Sequence, residues 1–124
     1  SEEELLKIAT AMDGHPDNVV VAAQGGCRVV VREGESLMSI QVPLPKDIKA
    51  VLFIPDVPMP TDKARAVLPD QVTRDDAVYN ISRAAMLVTA LATGKVEHLA
   101  VASQDRLHQA ARPNLFPKDC CFDI

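Results

Sequence analysis

The sequence has no tryptophan, and aromatic residues make up only 3% of its 124 residues. Aliphatic side chains must therefore build the core, and their abundance in a 48% hydrophobic composition is typical of a globular protein. No apolar run approaches the ~20 residues of a membrane-spanning helix. The 13 basic residues are scattered among 17 acidic ones, so no basic stripe indicates a nucleic-acid partner. We expect a cytoplasmic protein that binds neither membrane nor nucleic acid.

Cysteine is also scarce, with three residues. Cys120 and Cys121 are neighbours that cannot easily bridge one another, so a disulfide framework is excluded, and reduced thiols fit the cytosol. A metal site made of these two cysteines, Asp123 and His108 is an alternative. No CxxC or HxxxH spacing supports it.

The first half of the chain has clear helix boundaries. Ser1 and Glu4 have capping-box spacing, and apolar residues then recur at helical intervals up to Gly14. Pro16 suits the first position of a second helix, and Gly25 ends it. These signals predict two consecutive helices.

Three strands are predicted next. Cys27 to Val31 and Met38 to Val42 form a hairpin around Gly34, and Ile48 to Ile54 is an apolar run typical of a strand covered on both faces. The element order is then completed by three helices, which gives an α+β fold with segregated elements.

The first of these helices begins at Thr61, a suitable N-cap, and ends near Leu68. A long helix begins at Asp75, and Gly94 separates it from a last helix over residues 96–107. One face of the long helix is predicted to be well buried. Its residues are Val78, Ile81, Ala85, Val88 and Ala92, widened by Ala84, Leu87 and Leu91.

Two clusters of polar residues could carry chemistry. His15, Asp17 and Asn18 lie at a helix N-terminus, where unpaired N–H groups favour a hydroxyl or phosphate, although His15 and Asp17 could instead simply cap the helix. Thr61 and Arg65 share a helix face and could bind a carboxylate, although an N-cap and a solvated surface arginine also explain them. Spacing alone favours the simpler interpretation in both cases.

Other polar residues carry little information on their own. Arg112 is a lone arginine, and neither His98 nor His108 has an acidic partner at a useful spacing. The Gly25-Gly26 pair is too short for a phosphate loop of the Walker or Rossmann kind. No nucleotide site can be identified in this chain.

Taken together, the motifs of residues 3–117 resemble the homoserine kinases of the GHMP kinase superfamily. They occur in the family's order: Gly14-His15-Pro16-Asp17-Asn18, Gly25-Gly26, Pro60-Thr61 with Arg65, Leu68-Pro69, Tyr79-Asn80, and Arg112 before Leu115 and Pro117. The resemblance implies a partial GHMP fold, in which residues 1–45 end the N-terminal domain and 46–117 begin the ferredoxin-like C-terminal domain. Residues 118–124 form a divergent tail.

The resemblance also implies roles. Asn18 and Asp17 would be catalytic, Asn18 by orienting the homoserine hydroxyl and steadying the transferring phosphoryl group, and Asp17 by holding the turn in shape. His15 would contact the substrate. The charged end of the amino acid would be fixed by Thr61, Arg65 and Arg112. Positioning and charge stabilisation are most of what phosphoryl transfer requires.

The implied activity is phosphorylation of the L-homoserine hydroxyl, a step toward threonine, with ATP and Mg²⁺ as cofactors. The family's phosphate loop would precede this region, and Lys7 stands where its magnesium-binding glutamate is expected, with Glu2 to Glu4 as vague candidates. The nucleotide- and metal-binding residues therefore stay unknown, and the 124 residues alone are expected to be inactive. The alternatives are a non-catalytic amino-acid-binding module or another GHMP small-molecule kinase. A homodimer stays open.

Overall fold

A computed structural model of the chain describes residues 1–52, 54 and 61–111, apart from the side chains of residues 2, 3 and 61–63. It contains five α-helices and two strands in these ranges. They divide between two compact units, Ser1–Lys46 and Asp47–Ile124, which are described separately. The assignment of residues 1–45 and 46–117 to particular kinase domains stays a prediction, and the tail 118–124 lies outside the described residues.

The first unit opens with two consecutive helices, as predicted. Helix α1, Glu2–Asp13, begins with the capping box of Ser1 and Glu4 and ends at Gly14, whose φ of 80° places it in the left-handed region. The Gly14 N–H donates to the Thr10 carbonyl at 2.8 Å, which satisfies one of the last carbonyls of the helix. Helix α2, Pro16–Gln24, follows after one residue.

A β-hairpin completes this unit. Strands β1, Cys27–Glu33, and β2, Ser36–Val42, pair antiparallel, with Val29 opposite Ile40 and Val31 opposite Met38. Helix α2 packs against both α1 and β1, and its Val20 is only 1% exposed. The core of the first unit therefore lies where α2 meets these two elements.

The strand predicted over Ile48 to Ile54 is wrong. The described residues of this stretch have no regular secondary structure, and Val51, Leu52 and Ile54 are 94%, 83% and 82% exposed. A strand covered on both faces needs neighbouring strands to bond its backbone, and the described residues contain only the β1–β2 pair. Within the described ranges, the apolar run has no such neighbouring strand.

The described residues of the second unit form three α-helices. Helix α3, Thr61–Ala66, begins at Thr61 itself, and the next helix, α4, spans Arg74–Thr93. Thr73 caps α4 by accepting a hydrogen bond from the Asp76 N–H at 3.1 Å, and Gly94 ends it with a φ of 73°. These boundaries agree with the prediction to within two residues.

The predicted burial of α4 is wrong. Val78 and Ile81, expected to face inward, are 60% and 69% exposed, whereas Ala90 is 2% exposed. Among the described elements, the main packing partners of α4 are the short helices that follow it. An apolar stripe is buried only where a partner covers it, so most of this one stays exposed.

The last predicted helix is also shorter than expected. A 3₁₀ turn, Val96–His98, leads into helix α5, Leu99–Ala102, and the chain then continues in turns to residue 111. Asp105 accepts the N–H groups of residues 107–109 and so replaces the helical hydrogen bonds there. No helix in the described part of the chain is both long and apolar enough to cross a membrane.

Candidate functional site

The predicted catalytic turn lies at the N-terminus of α2. His15 is the N-cap residue, with extended φ and ψ of −130° and 96°, and Pro16 occupies the first helical position. His15 thus occupies the N-cap position, as the simpler interpretation expects, but its side chain makes no capping hydrogen bond. The helix N-terminus carries a partial positive charge, which the carboxylate of Asp17 in the first turn complements.

The imidazole of His15 has an acidic neighbour that the sequence analysis missed. Its Nδ1 lies 3.5 Å from Oδ2 of Asp13, and the His15 side chain is 19% exposed. The sequence signal for this pair was Asp13-Gly14-His15, because a glycine in the left-handed conformation reverses the chain direction between the two side chains.

Asn18 lies beside an open cavity on the first unit. The cavity measures about 450 Å³, and its lining residues are Ala9, Met12, Asp13, Asn18, Val19 and Ala22. Asn18 is exposed, so its amide is accessible to a small ligand. Asn18 and Asp13, the acidic neighbour of His15, therefore line the same cavity, whose walls come from α1 and α2.

The predicted carboxylate-binding residues belong to the second unit. Thr61 and Arg65 lie four residues apart within α3, so the two positions share one face of that helix. Arg65 is exposed. The side chain of Thr61 and the whole of Arg112 lie outside the described part of the chain, and the convergence of these three residues on one anion stays a prediction.

A further polar cluster, also missed by the sequence analysis, centres on Asp105. One carboxylate oxygen accepts hydrogen bonds from Asn80 Nδ2 at 2.5 Å and from the Leu107 N–H at 2.6 Å. The other accepts from the N–H groups of His108 and Gln109, at 2.8 and 3.0 Å. A carboxylate that accepts four hydrogen bonds holds the surrounding backbone firmly in place.

The protonation of Asp105 follows from this environment. Its partial burial would raise the pKa of the carboxyl group, but the hydrogen bond from Asn80 and those from the three backbone N–H groups outweigh burial and lower the pKa from 3.8 to about 2. The side chain is 19% exposed. Asp105 is therefore ionised at neutral pH.

The histidines of the second unit do have acidic neighbours, contrary to the sequence analysis. His108 Nδ1 lies 3.3 Å from Asp105 Oδ2, and His98 Nε2 lies 3.8 Å from Glu97 Oε1. His108 is three positions after Asp105, a spacing that a turn can close. Both imidazoles are about half exposed, which is typical of surface polar groups.

No cluster of metal-binding side chains is found among the described residues. They contain no group of three or more His, Cys, Asp or Glu side chains that could hold a metal ion. The position predicted for the magnesium-binding glutamate is Lys7, an exposed residue of α1. The alternative metal site with Cys120 and Cys121 lies outside the described part of the chain.

The chain was compared with known proteins. It is 48% identical over 117 residues to the homoserine kinase of Gloeobacter violaceus, a match that covers 94% of this chain and 39% of that protein. It is 42% identical over 112 residues to the homoserine kinase of Clostridium novyi, covering 90% of this chain and 38% of that protein. No protein-family model matches.

A solved structure is similar as well. The crystal structure of homoserine kinase from Cytophaga hutchinsonii matches with a TM-score of 0.71 and 29% identity, over 83% of this chain and 32% of the other. The α+β fold class and the resemblance to homoserine kinases are therefore confirmed. The chain spans less than two fifths of the length of the relatives that it matches.

Proposed function

We propose that this chain carries most of the amino-acid site of a cytoplasmic homoserine kinase, which transfers a phosphoryl group from ATP to the hydroxyl of L-homoserine. The observation that carries the proposal is 42–48% identity to proteins of that name over at least 90% of the chain. The exposed Asn18 at a helix N-terminus is consistent with it.

In the proposed reaction, the homoserine hydroxyl oxygen forms a bond to the γ-phosphorus as the bond from that phosphorus to the β,γ-bridging oxygen breaks. ADP leaves with the electrons of the broken bond, and the hydroxyl proton passes to water. Asn18 orients the hydroxyl, and its amide donates to the oxygens on which negative charge accumulates. His15, held beside Asp13, contacts the substrate. The positive end of α2 stabilises the same charge by roughly 0.3–1 kcal/mol.

The other end of the substrate is an amino acid, and its carboxylate needs cationic partners. We assign it to Arg65 and Arg112, with Thr61 as a hydroxyl donor at the first turn of α3. A guanidinium group matches a carboxylate with two parallel N–H donors, which fixes orientation as well as charge. Mg-ATP supplies the phosphoryl group when bound, and no residue of this chain is assigned to holding it.

The proposal can be tested in a chimera. The 117 matched residues of the Gloeobacter violaceus enzyme are replaced by the corresponding residues of this chain, and ADP release is followed with a coupled assay. We expect turnover that depends on L-homoserine. A folded chimera that releases no ADP with homoserine, while the parent enzyme does, contradicts the proposal.

The chain of 124 residues provides the complementary measurement. We expect it to give no homoserine-dependent ADP release, and calorimetry then reports whether it binds homoserine. Homoserine binding by the chain that is unaffected by Mg-ATP, combined with an inactive chimera, supports the amino-acid-binding module instead. Turnover of mevalonate but not homoserine by the chimera supports another GHMP kinase.

A further inference from the structure

The segment that follows α5 is held by side chains instead of regular secondary structure. Between Ser103 and Gln109 the chain runs through turns, which we call the Asp105 turn. Gln109 closes it, because its Oε1 accepts from the Asp105 N–H and its Nε2 donates to the Ser103 carbonyl, both at 3.0 Å. The Asp105 carboxylate accepts three further N–H groups inside the same turn.

Asn80 joins this turn to α4. Its Nδ2 donates to Asp105, and its Oδ1 accepts from the Arg106 N–H at 3.0 Å. Both ends of one side-chain amide are thus used on two consecutive residues of the turn. Asn80 and Asp105 are each half-buried, so water competes poorly for these hydrogen bonds.

An aromatic contact reinforces the attachment. The guanidinium carbons of Arg83 and Arg106 lie 3.2 and 3.8 Å from the centroid of the Tyr79 ring. Both guanidinium groups therefore make cation–π contacts with the one Tyr79 ring. The Tyr79 hydroxyl donates to Gln104 Oε1 at 2.9 Å, which adds a second contact between α4 and the segment after α5.

This arrangement fixes the chain immediately before a proposed substrate-binding residue. The Ala111 N–H donates to the His108 carbonyl at 3.2 Å, so the order of the turn extends to residue 111. Arg112 is the next residue in the sequence. The covalent bond between them means that the direction in which the chain leaves the turn limits where Arg112 can be.

We propose that Asp105, held by Asn80, is a positioning residue for the amino-acid site, because its ionised carboxylate fixes the turn from which the chain reaches Arg112. The proposal rests on the proposed function, in which Arg112 binds the substrate carboxylate. Asp105 acts through Arg112 and contacts neither substrate nor phosphate. The charged and titratable groups around it are His108 and, beside Asn80, the Arg106–Asp76 pair at 3.5 Å.

The decisive variant is Asp105→Asn. An asparagine at this position replaces one carboxylate oxygen by an NH₂ group, which faces backbone N–H donors and cannot accept from them. Asn80→Ala is the milder companion, since it removes the link to α4 and leaves the three backbone hydrogen bonds. Asp70→Asn is the matched control, because Asp70 is exposed and has no hydrogen bond among the described residues.

The experiment measures homoserine KM, ATP KM and kcat in the chimera, together with amide hydrogen exchange over residues 103–111. Asp105→Asn is expected to raise homoserine KM by about tenfold or more, as the loss of one charge-assisted contact would. ATP KM should change less than twofold, and exchange over 103–111 should accelerate. Asn80→Ala should shift both readouts in the same direction by less, and Asp70→Asn should shift neither.

The double variant separates positioning from general damage. Because Asp105 acts through Arg112, the Asp105→Asn/Arg112→Ala variant should have the homoserine KM of Arg112→Ala alone. The positioning role is overturned if the losses of the two single variants multiply in the double variant. It is also overturned if Asp105→Asn accelerates exchange but leaves homoserine KM unchanged. Either result leaves the proposed function intact. If Arg112→Ala itself leaves homoserine KM unchanged, the assignment of Arg112 fails, and with it the proposed function at that residue.

Discussion

The ionised state of Asp105 should make a measurable contribution to the stability of the second unit. Its carboxyl pKa falls from 3.8 to about 2 on folding. At about 1.4 kcal/mol per pKa unit this corresponds to roughly 2 kcal/mol of folding free energy. Solvent screening reduces this contribution, because the carboxyl group lies close to the surface.

The sign of the pH dependence follows from the direction of the shift. A carboxyl whose pKa is lower in the folded state stabilises that state above the unfolded pKa of 3.8. This stabilisation is lost as the pH falls through about 2 and is constant between pH 5 and 8. Asp105→Asn should therefore destabilise the unit by about 2 kcal/mol or more at pH 6, and the difference from the unsubstituted chain should shrink toward pH 2.

The chain offers a local probe for this measurement. Tyr79 is its one tyrosine, there is no tryptophan, and the Tyr79 hydroxyl is bonded to the residue next to Asp105. Urea unfolding followed by tyrosine fluorescence therefore reports on this unit, and a carboxyl-carbon NMR titration gives the Asp105 pKa directly. An Asp105 pKa near 3.8, or Asp105→Asn as stable at pH 6 as Asp70→Asn, would refute the reasoning.

Other variants test the remaining residues. Asn18→Ala in the chimera should lower kcat by about 100-fold with little change in homoserine KM, because its donor acts mainly in the transition state; an effect confined to KM, measured in the same ADP-release assay, would contradict this role. Gly14→Ala should destabilise the first unit by about 1 kcal/mol in thermal or urea unfolding, since φ of 80° is costly for any residue with a Cβ; unchanged stability would show that the turn relaxes. Leu52→Ser should reduce self-association of the 124-residue chain, measured by analytical sedimentation, because Leu52 is an apolar side chain that is 83% exposed. Undiminished association would show that the chains associate through another surface.

Local signals in the sequence were sufficient for the helix boundaries and the hairpin. The capping box at Ser1, Pro16 at the start of α2 and Gly94 at the end of α4 each act through the backbone of a few neighbouring residues. The hairpin likewise depends on alternating side chains and a glycine turn. Such features do not need the rest of the molecule, so they could be predicted correctly.

Burial could not be predicted in the same way. The apolar residues from Ile48 to Ile54 and the stripe that includes Val78 and Ile81 were expected to be covered, yet most of them are exposed. Periodicity shows which face is apolar, but only a partner element determines whether that face is buried. Among the described elements, the stripe of α4 is covered mainly by two short helices, and no strand pairs with the apolar run.

The site was predicted unevenly for related reasons. His15 and Asn18 were recognisable because they share one turn, whereas the pairing of Asn80 with Asp105 joins residues 25 positions apart and has no periodic signal. Asp105 could have been found from its short-range pattern alone, since an aspartate often accepts the N–H groups of the residues two to four positions on. The roles of all six site residues stay predictions: His15, Asp17, Asn18, Thr61, Arg65 and Arg112.

The central claim is that the arginines of this chain recognise the carboxylate of an amino-acid substrate. The most direct test compares Arg65→Ala with Arg74→Ala, another exposed arginine, in the chimera with two substrates: L-homoserine and 3-aminopropan-1-ol, which lacks the carboxylate. We expect Arg65→Ala to lower kcat/KM for homoserine by about tenfold or more and to leave kcat/KM for the amino alcohol unchanged. Equal losses with both substrates, or no loss with homoserine, would contradict the account.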